Sequence, residues 1–449
     1  MRKGTAALLL AVLPIALLAT NAWGVEPTLP DAVSLAEFGA CPACSPATNN
    51  AAISRALATG RPVYVPPTGG CFVVEAVDLP SHSVLFGAGP ASCLRAARPG
   101  AGNLIQIFGV TDVQVRGLRL DGGYGRATTA PGWTVLVKST PRLQPPPHRI
   151  VIADCEVVGS GFGGIMLQDA HGVDVTGNSV VATSDTGIGA VEGSTDFTIA
   201  RNKVSGAAFD ISISSQGETD VAAVGLTRDG AVEDNILRVD KPNGYGVEVD
   251  GAERMRFAHN RVTVDGGLWG FRVLGRMSKP TADVDLPVRD SVFIDNTVTL
   301  LRDAPVFGVD ITGDGPADLT SNRFAGFTVE APVQQTKTTG ITVNGGVSVA
   351  VDGFSAIRVG LPITISHAGA AGVRTTFRDA RTRGGRVGFN ASSVDAAKDQ
   401  LTLVRGDFQG ASYANIAISA GEDATLIDTP RIGNTLMKAR TLVERRGSP

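Results

Sequence analysis

The sequence predicts an all-β protein with the right-handed parallel β-helix fold, built as a single-stranded solenoid of about twelve rungs. Three observations lead to this prediction. The chain of 449 residues contains 55 glycines, only 5% of its residues are aromatic, and long stretches with helical periodicity are scarce. Two short phrases recur along it, one centred on asparagine and one that alternates apolar residues. Short strands separated by turns, without helices between them, are typical of a β-solenoid.

The asparagine phrase sets the period of the repeat. Its successive spacings are 24, 33, 25, 36 and 26 residues. These indicate a coil of about 25 residues that twice carries an insertion of about ten. Neighbouring coils of a β-helix lie about 4.8 Å apart, so we expect the asparagines to form a ladder of amide hydrogen bonds at one turn. The phrase occurs at Asn178, Asn202, Asn235, Asn260, Asn296 and Asn322.

The strand phrase places apolar residues at alternate positions. It reads GGIML, TGIGA, FDISI, YGVEV, WGFRV, FGVDI, TGITV, LPITI and RVGFN, with weaker copies at NLIQI, GWTVL and NIAIS. A leucine-rich repeat has a similar period but needs a leucine framework that is missing here, and a propeller blade needs about 40 residues or more. The residues between the apolar positions are therefore expected on the outer surface of a solenoid.

The chain divides into four segments. Residues 1–24 combine two basic residues with an uncharged run rich in Ala and Leu, which is typical of a signal peptide, although an uncleaved anchor is the alternative. Residues 25–100 are expected to form an N-terminal cap and the first coils, 101–430 the β-helix, and 431–449 a C-terminal cap or tail. With a net charge of -3 and no basic stripe, nothing indicates a nucleic-acid partner. We expect a secreted or periplasmic protein that has no membrane contact after signal cleavage.

A short amphipathic helix is expected before the first coil. Thr48 or Asn49 would cap its N-terminus, and Ile53 and Leu57 would lie on one face. Such a helix can cover the open end of the solenoid, where unpaired backbone groups are otherwise exposed.

Four of the five cysteines are expected to form disulfides, because an oxidising compartment favours them. Cys71 and Cys93 are 22 residues apart, about one coil, so they can stack within disulfide reach, which leaves Cys41 and Cys44 as a local staple. The other pairings and a zinc site made by the same thiols stay open. Cys155 takes the place of a ladder asparagine and is expected to be a buried free thiol.

The N-terminal segment carries a family resemblance. The order FGA, TNNAAI, PVYVPP, CFVV and LPSHSVLFGAG, followed by glycine-rich coils, resembles the pectate lyase-like superfamily. Its members include polysaccharide lyases, glycoside hydrolases, uronate epimerases and phage tailspikes. The resemblance spans Val33 to Thr429 and implies a β-helix that acts on polysaccharides. The paired-Asp and Gly-His-Gly motifs of polygalacturonases, the Arg-x-Pro-x-x-Arg of pectate lyases and the Asp-Pro-His of alginate epimerases are absent, so no catalytic residue is carried over.

The strand register itself predicts a site, because outward residues stack from rung to rung. One outward column reads Leu136, Met166, Gly189, Ser212, Glu248, Arg272, Asp310, Thr342 and Thr364. A parallel column two residues further along reads Lys138, Gln168, Val191, Ser214, Asp250, Leu274, Thr312, Asn344 and Ser366. Charge concentrates in the middle rungs of both columns.

Glu248, Asp250, Arg272 and Asp310 are the candidate catalytic residues. Glu248 and Asp310 stand two rungs apart, about 9 to 10 Å between Cα atoms. That separation suits an acid and a base with a water between them. Arg272 would keep one acid ionised and bind a substrate carboxylate. The residues expected to contact substrate are Lys138, Gln168, Asp210 and Asn344.

Two further features frame this site. Long segments near Ser215 to Gly230 and Gly275 to Arg289 follow the flanking strands and are expected to wall a groove. Aromatic residues also recur in one column, and their parity matches the inward residues. We therefore expect a buried aromatic stack rather than a sugar platform, made by Trp133, Phe209, Tyr245, Trp269 and Phe307.

The sequence thus predicts a secreted polysaccharide-active protein that binds a glycan along the β-helix face and cleaves it by β-elimination or hydrolysis. The family resemblance and Arg272 favour an acidic glycan. No cofactor is expected, except that a lyase would hold Ca²⁺ between the acids. The alternative is a non-catalytic polysaccharide-binding, cell-surface or exopolysaccharide-export component. In that case the charged column is ordinary cross-strand pairing on a solvated sheet.

Overall fold

The structure is a computed structural model that describes residues 29, 31–98, 102–124, 132–139, 145–181, 183–215, 224–275, 286–313, 318–367, 373–393, 399–418, 423–429, 435–437 and 441–445. Strands pair in parallel from coil to coil, which confirms the right-handed parallel β-helix. The predicted signal peptide lies outside the described residues, as do residues 216–223 and 276–285 of the two predicted groove walls.

One row of strands, which we call the front sheet, carries the predicted site. It contains 14 strands, two more than the twelve copies of the strand phrase, since a short strand is added at each end. The strands are Val77–Asp78, Ile105–Phe108, Trp133–Lys138, Gly163–Gln168, Thr186–Val191, Phe209–Ser214, Tyr245–Asp250, Trp269–Leu274, Phe307–Gly313, Thr339–Gly345, Leu361–His367, Val387–Ser393, Ala414–Ile418 and Thr435–Met437.

Two other rows close the solenoid and are joined by two long strands, Val84–Ala96 and Thr111–Asp121. The second row comprises Val33–Ser34, Val63–Val65, His148–Ala153, His171–Thr176, Thr198–Ala200, Ala231–Glu233, Arg256–Ala258, Val292–Ile294, Arg323–Ala325, Val349–Asp352, Arg374–Arg378, Gln400–Val404, Asp423–Ile427 and Thr441–Arg445. The third row comprises Phe72–Val74, Glu156–Val158, Ser179–Val181, Lys203–Ser205, Ile236–Val239, Arg261–Val264, Thr297–Leu300, Thr328–Glu330, Ser355–Ile357, Arg381–Arg383 and Asp407–Gln409.

A short fourth row lies at the turn after the front sheet in the middle coils. Its strands are Thr227–Arg228, Ala252–Glu253, Val288–Arg289 and Leu319–Thr320. At the C-terminal end, Thr435–Met437 and Thr441–Arg445 add to the front sheet and the second row. The stacking of coils therefore continues beyond residue 430, where the sequence places the start of a cap or tail.

The core is a continuous column of apolar side chains inside the coils. Val247, Phe271 and Val309 of the front sheet are fully buried and pair in register. Phe257 and Phe293 of the second row stack with ring centroids 4.6 Å apart. Stacking equivalent side chains in every coil buries one long core, so each coil depends on its neighbours for stability.

The asparagine ladder is present from Asn178 to Asn296. In each step a side-chain oxygen accepts the backbone N–H of the preceding asparagine, as between Asn202 and Asn235 at 2.9 Å. The side-chain nitrogen donates to the next amide oxygen and to a strand carbonyl, as Asn235 does to Asn260 and Ile199. Cys155 precedes the ladder, donates its N–H to Asn178, and is a buried free thiol as predicted.

Asn322 was wrongly placed in this ladder. Its side-chain oxygen accepts the N–H of Ser291, at the turn that precedes the second row rather than the third. The ladder position of that coil is Phe327, since Asn296 and Phe327 each accept, through their backbone carbonyl, the N–H of the residue that begins the next coil's third-row strand. The local sequence around Asn322 imitates the ladder phrase, but the pairing of Arg323 with Val292 fixes the register.

The N-terminal segment forms the predicted cap. The helix spans Pro46–Leu57, and Ser45, rather than Thr48 or Asn49, is its N-cap, because the Ser45 hydroxyl accepts the N–H of Thr48 and Pro46 suits the first helical position. Ile53 and Leu57 are buried as predicted. Asn49 donates to the carbonyl of Val73, which satisfies backbone at the edge of a first-coil strand. A 3₁₀ helix, Leu35–Phe38, precedes it.

Both predicted disulfides are present. Cys41 pairs with Cys44, with 5.1 Å between Cα atoms, and Cys71 pairs with Cys93, with 4.5 Å between Cα atoms. They hold the cap loop and the first coil. Among the described residues, the structure has no helix with the length and apolar character needed to cross a membrane.

Candidate functional site

The outward column predicted from the sequence is present in the front sheet. Ser212 pairs with Glu248, Glu248 with Arg272, and Arg272 with Asp310. Asp310 pairs with Thr342 on the following coil. Glu248, Arg272 and Asp310 therefore stand on three consecutive coils, on the face of the front sheet that points away from the core.

In the front-sheet strands from Trp133–Lys138 to Ala414–Ile418 the alternation of inward and outward side chains breaks near the start of the strand, without an inserted residue. The pairing passes from Tyr245 directly to Val247 and omits Gly246. A Cβ atom at Gly246 would lie 2.5 Å from the carbonyl oxygen of Gly270 and 2.4 Å from Val262, which are atoms of the interior. Glycine therefore faces inward here, and the residue before it faces outward.

The aromatic column consequently lies on the outer face, which corrects the prediction of a buried stack. Phe209, Tyr245, Trp269 and Phe307 are each half-buried. Their rings stack in sequence with centroids 4.9, 4.6 and 6.1 Å apart. The sequence signal for this arrangement is the glycine that follows the aromatic residue in YGVEV, WGFRV and FGVDI. Its repetition marks the position where the alternation of side chains breaks.

Arg272 is fixed by this aromatic stack. Its guanidinium carbon lies 4.6 Å from the ring centroid of Trp269 and 5.3 Å from that of Tyr245. Nη1 donates a 2.7 Å hydrogen bond to the Tyr245 hydroxyl, and Nε lies 3.5 Å from Oδ2 of Asp310. A planar cation held by two rings and one hydroxyl loses little freedom when it meets a ligand. The stack therefore positions Arg272 between Glu248 and Asp310.

Glu248 has an unusually high pKa for a glutamate. Burial, followed by the charge of Asp250, raises its pKa to about 7, against the opposing effect of Arg272. Its Oε2 lies 3.5 Å from the hydroxyl of Ser212. A carboxyl group with this pKa is protonated in about half of the molecules at neutral pH, as a general acid must be.

Asp310 is held in a different environment. Burial raises its pKa, while hydrogen bonds from Thr312 and Asn344 and the charge of Arg272 act in the opposite direction. Its Oδ1 accepts the Thr312 hydroxyl at 3.0 Å and the Asn344 amide at 3.2 Å. Three groups thus stabilise its anion, whereas Glu248 has only a weak contact with Ser212 and the charge of Arg272.

The other predicted site residues are not all brought together. Asp250 is 3% exposed and shares the strand of Glu248, and Asn344 contacts Asp310 directly. Gln168 lies three coils before Asp250 and contacts Glu192 at 3.4 Å. Lys138 is one coil further away. Both are therefore about 14 Å or more from the acids along the solenoid axis.

Asp210 was wrongly predicted to contact substrate. It occupies the inward-facing second position of its strand, which is glycine in the neighbouring coils. Its side chain therefore points inward and is fully buried. Burial, and then the negative charge of Asp240, raise its pKa well above the usual range. The alternation in the strand phrase suggested an outward side chain. The alternation breaks at this position, and the side chain points inward.

Asp185 is an acid near the site that the sequence did not indicate. It lies at the turn before the front sheet, and its carbonyl accepts the N–H of Phe209. Its charge contributes to the raised pKa of Glu248, and burial raises its own pKa. Lys241 lies two coils further along and donates to the carbonyls of Thr183 and Ser184. Only the stacking of turns brings these residues to the front sheet.

The site combines acid and base groups with an apolar rim. A carboxyl group with a pKa of about 7, a second carboxyl group held by three polar partners and an arginine lie within three coils, beside stacked aromatic rings. Among the described residues no group of three or more His, Cys, Asp or Glu side chains is arranged to hold a metal ion. The fold and site define a parallel β-helix with a polar and aromatic strip along one outer face.

Comparisons with known proteins identify similar folds. No model of a known protein family matches the sequence. No curated protein sequence matches it. Among solved structures, a variant tailspike protein of E. coli bacteriophage HK620, in complex with a hexasaccharide, has a TM-score of 0.63 at 12% identity, over 92% of this chain and 80% of that one.

Two further structures have the same architecture. The N-terminal fragment of bacteriophage Phi29 gene product 12 has a TM-score of 0.54 at 15% identity, over 88% of this chain and 82% of that one. The A-module of the mannuronan C-5 epimerase AlgE4 of Azotobacter vinelandii has a TM-score of 0.50 at 18% identity, over 77% of this chain and 97% of that one. At these identities the likeness shows the fold.

Proposed function

We propose that this protein binds a polysaccharide along the outer face of the front sheet and hydrolyses it between Glu248 and Asp310. The observation that carries the proposal is the raised pKa of Glu248, about 7, two coils from an Asp310 that is held by Arg272, Thr312 and Asn344. Two carboxyl groups in unlike environments are what acid and base roles require.

In the proposed reaction Glu248 donates its proton to the glycosidic oxygen as the bond to the anomeric carbon breaks. Asp310 accepts a proton from the water that attacks the same carbon from the other side. A two-coil separation, about 9 to 10 Å between Cα atoms, leaves room for that water, as in inverting glycosidases. Arg272 opposes the build-up of negative charge as Glu248 becomes a carboxylate.

The remaining features support a polysaccharide as the ligand and an oxidising compartment as the location. The hexasaccharide-bound tailspike and the mannuronan epimerase have the same fold. The half-buried rings from Phe209 to Phe307 offer an apolar strip for the C–H faces of sugars beside polar groups, a common composition of ligand sites. Two disulfides are typical of secreted and periplasmic proteins.

Turnover of a glycan panel tests the proposal. Purified protein is incubated with polygalacturonate, alginate, xylan, dextran and α-1,3-glucan, and both reducing ends and the ultraviolet absorbance of unsaturated uronides are followed. We expect new reducing ends without that absorbance. Unsaturated products would overturn hydrolysis in favour of β-elimination. Binding without turnover would favour the non-catalytic component, for which the Arg272–Asp310 ion pair is merely structural.

Variants identify the residues. Glu248→Gln and Asp310→Asn are each expected to lose about 10²-fold or more in kcat, since each removes a proton-transfer group. Glu233→Gln is the matched control, because Glu233 forms a surface ion pair with Arg256 on the second row. Activity that survives in both site variants would show that the site is elsewhere.

A further inference from the structure

A second aromatic cluster lies on the outer face of the front sheet, outside the proposed cleavage site. The rings of Trp133 and Phe162 meet edge to face with centroids 5.1 Å apart. Phe162 is 41% exposed, which is unusual for a side chain of this size. The Trp133 ring also extends over the next coil, because a Cβ atom at Gly163 would lie 1.9 Å from it.

This cluster is continuous with the aromatic stack of the site. Trp133 pairs with Gly163, and Thr186 pairs with Phe209, so the register places Trp133 three coils before Phe209 in the same column. The distance along the axis is about 14 Å. The intervening positions of the column are Gly163 and Thr186, so no large side chain of this column stands between Trp133 and Phe209.

A small cleft adjoins Trp133 at the edge of the front sheet. Tyr124 and Trp133 line it, together with the glycines Gly102, Gly122 and Gly132. Gly102 has open space where a side chain would stand, so a ligand can approach the backbone closely there. The buried hydroxyl of Tyr124 finds no hydrogen-bond partner among the described residues, which is a cost that a bound hydroxyl group would remove. The described residues that line the cleft are all uncharged.

We propose that Trp133, Phe162 and the adjoining cleft form a distal subsite for uncharged faces of sugar rings in the same glycan chain that is cleaved at Glu248. The inference rests on the proposed function. The column from Trp133 to Phe307 crosses six coil steps, about 29 Å. The protein therefore binds a long segment and cleaves inside the chain, and short oligosaccharides occupy the cleavage site alone.

The tryptophans provide separate reporters for the two positions. The chain has three, and a Trp23→Phe background leaves Trp133 in the distal subsite and Trp269 in the cleavage site. Adding Trp133→Phe or Trp269→Phe leaves one fluorophore. Each protein, also carrying Glu248→Gln to stop turnover, is titrated with sized oligosaccharides of two to about twelve units from each polysaccharide of the panel. We expect short chains to change Trp269 fluorescence only, and long chains to change both.

Substitution then tests the contribution to binding. Phe162→Ala is expected to weaken binding of the long oligosaccharides roughly tenfold and to leave that of the short ones unchanged. Tyr413→Ala is the control, since Tyr413 is 56% exposed and precedes a front-sheet strand just as Phe162 does, but four coils beyond Phe307.

The outcomes separate this inference from the proposed function. Long chains that change Trp269 but not Trp133, or a Phe162→Ala protein with unaltered long-chain affinity, would overturn the distal subsite alone. An absence of any response at Trp269, with no turnover of any glycan, would overturn the proposed function and the subsite with it.

Discussion

Two stacks of polar side chains run along this solenoid, and they are built in opposite ways. The ladder from Asn178 to Asn296 is buried, and each interior side-chain amide accepts hydrogen bonds from the preceding asparagine and donates to the next one. The column Glu248, Arg272 and Asp310 also repeats once per coil, but its members carry charge and two of them have raised pKa values.

The two stacks differ in whether their side chains can satisfy one another's hydrogen-bonding groups. Identical amides are donors and acceptors at once, so stacking satisfies them and stabilises the fold. Ionised carboxylates are only acceptors and cannot satisfy one another, and partial burial leaves Glu248 between two protonation states. We therefore assign the ladder to structure and the column to chemistry, and four measurements test that assignment.

The largest expected effect is the pH dependence of the rate. Because Glu248 must be protonated to act as an acid and its pKa is about 7, kcat should fall above that pH, approaching tenfold per unit. The pH–rate profile measures this on the most active glycan. A rate that stays constant for two units above pH 7 would remove Glu248 from the acid role.

The next effect concerns stability. Asn235→Ala removes partners of Asn202, Asn260 and the Ile199 carbonyl, all of them buried. We expect unfolding to become easier by about 2 to 4 kcal/mol, because unsatisfied buried groups cost 1 to 3 kcal/mol each and are not additive. Denaturant unfolding measures this, while kcat of the folded variant should be unchanged. A loss of activity without a loss of stability would reverse the assignment.

Asp210 tests what a buried acid does when it has no access to substrate. Its folded-state pKa is raised, so the carboxyl group destabilises the fold as the pH rises above the unfolded-state pKa of about 3.9, by up to about 1.4 kcal/mol for each unit of the shift. Asp210→Asn should therefore gain stability relative to the parent at pH 7, and the gap should close toward pH 4. Parallel unfolding curves at both pH values would refute this reading.

The smallest effect is expected at Tyr245. Tyr245→Phe keeps the ring stack but removes the hydroxyl that receives the Arg272 hydrogen bond. Such a bond to a charged group is worth about 1.5 to 3 kcal/mol, and because Tyr245 is half-buried we expect the low end of that range, a loss of roughly tenfold in kcat/KM. Steady-state kinetics at low substrate measure it. An unchanged value would mean that the rings alone position Arg272.

The sequence correctly predicted the residue positions that follow from the regular repeat. It missed the positions at which the repeat is interrupted. Periodicity was sufficient to align Glu248, Arg272 and Asp310, because parallel coils pair equivalent residues. It failed at Tyr245 and Asp210, because the alternation of inward and outward side chains breaks near the start of their strands. Only the pairing of the strands reveals that break. Asp185 was missed because it lies in a turn, and turns vary in length where strands do not.

The disulfides make the two ends of the solenoid unequal. All five cysteines lie before residue 156, and the two bridges hold the cap loop and the first coil. A stack of coils unravels from an end, since each end coil has one neighbour instead of two. Fraying should therefore travel in one direction, from the last coils toward the first. Under mechanical pull or limited proteolysis, we expect coils to be lost one after another from the C-terminal end until the disulfide-bonded first coil is reached.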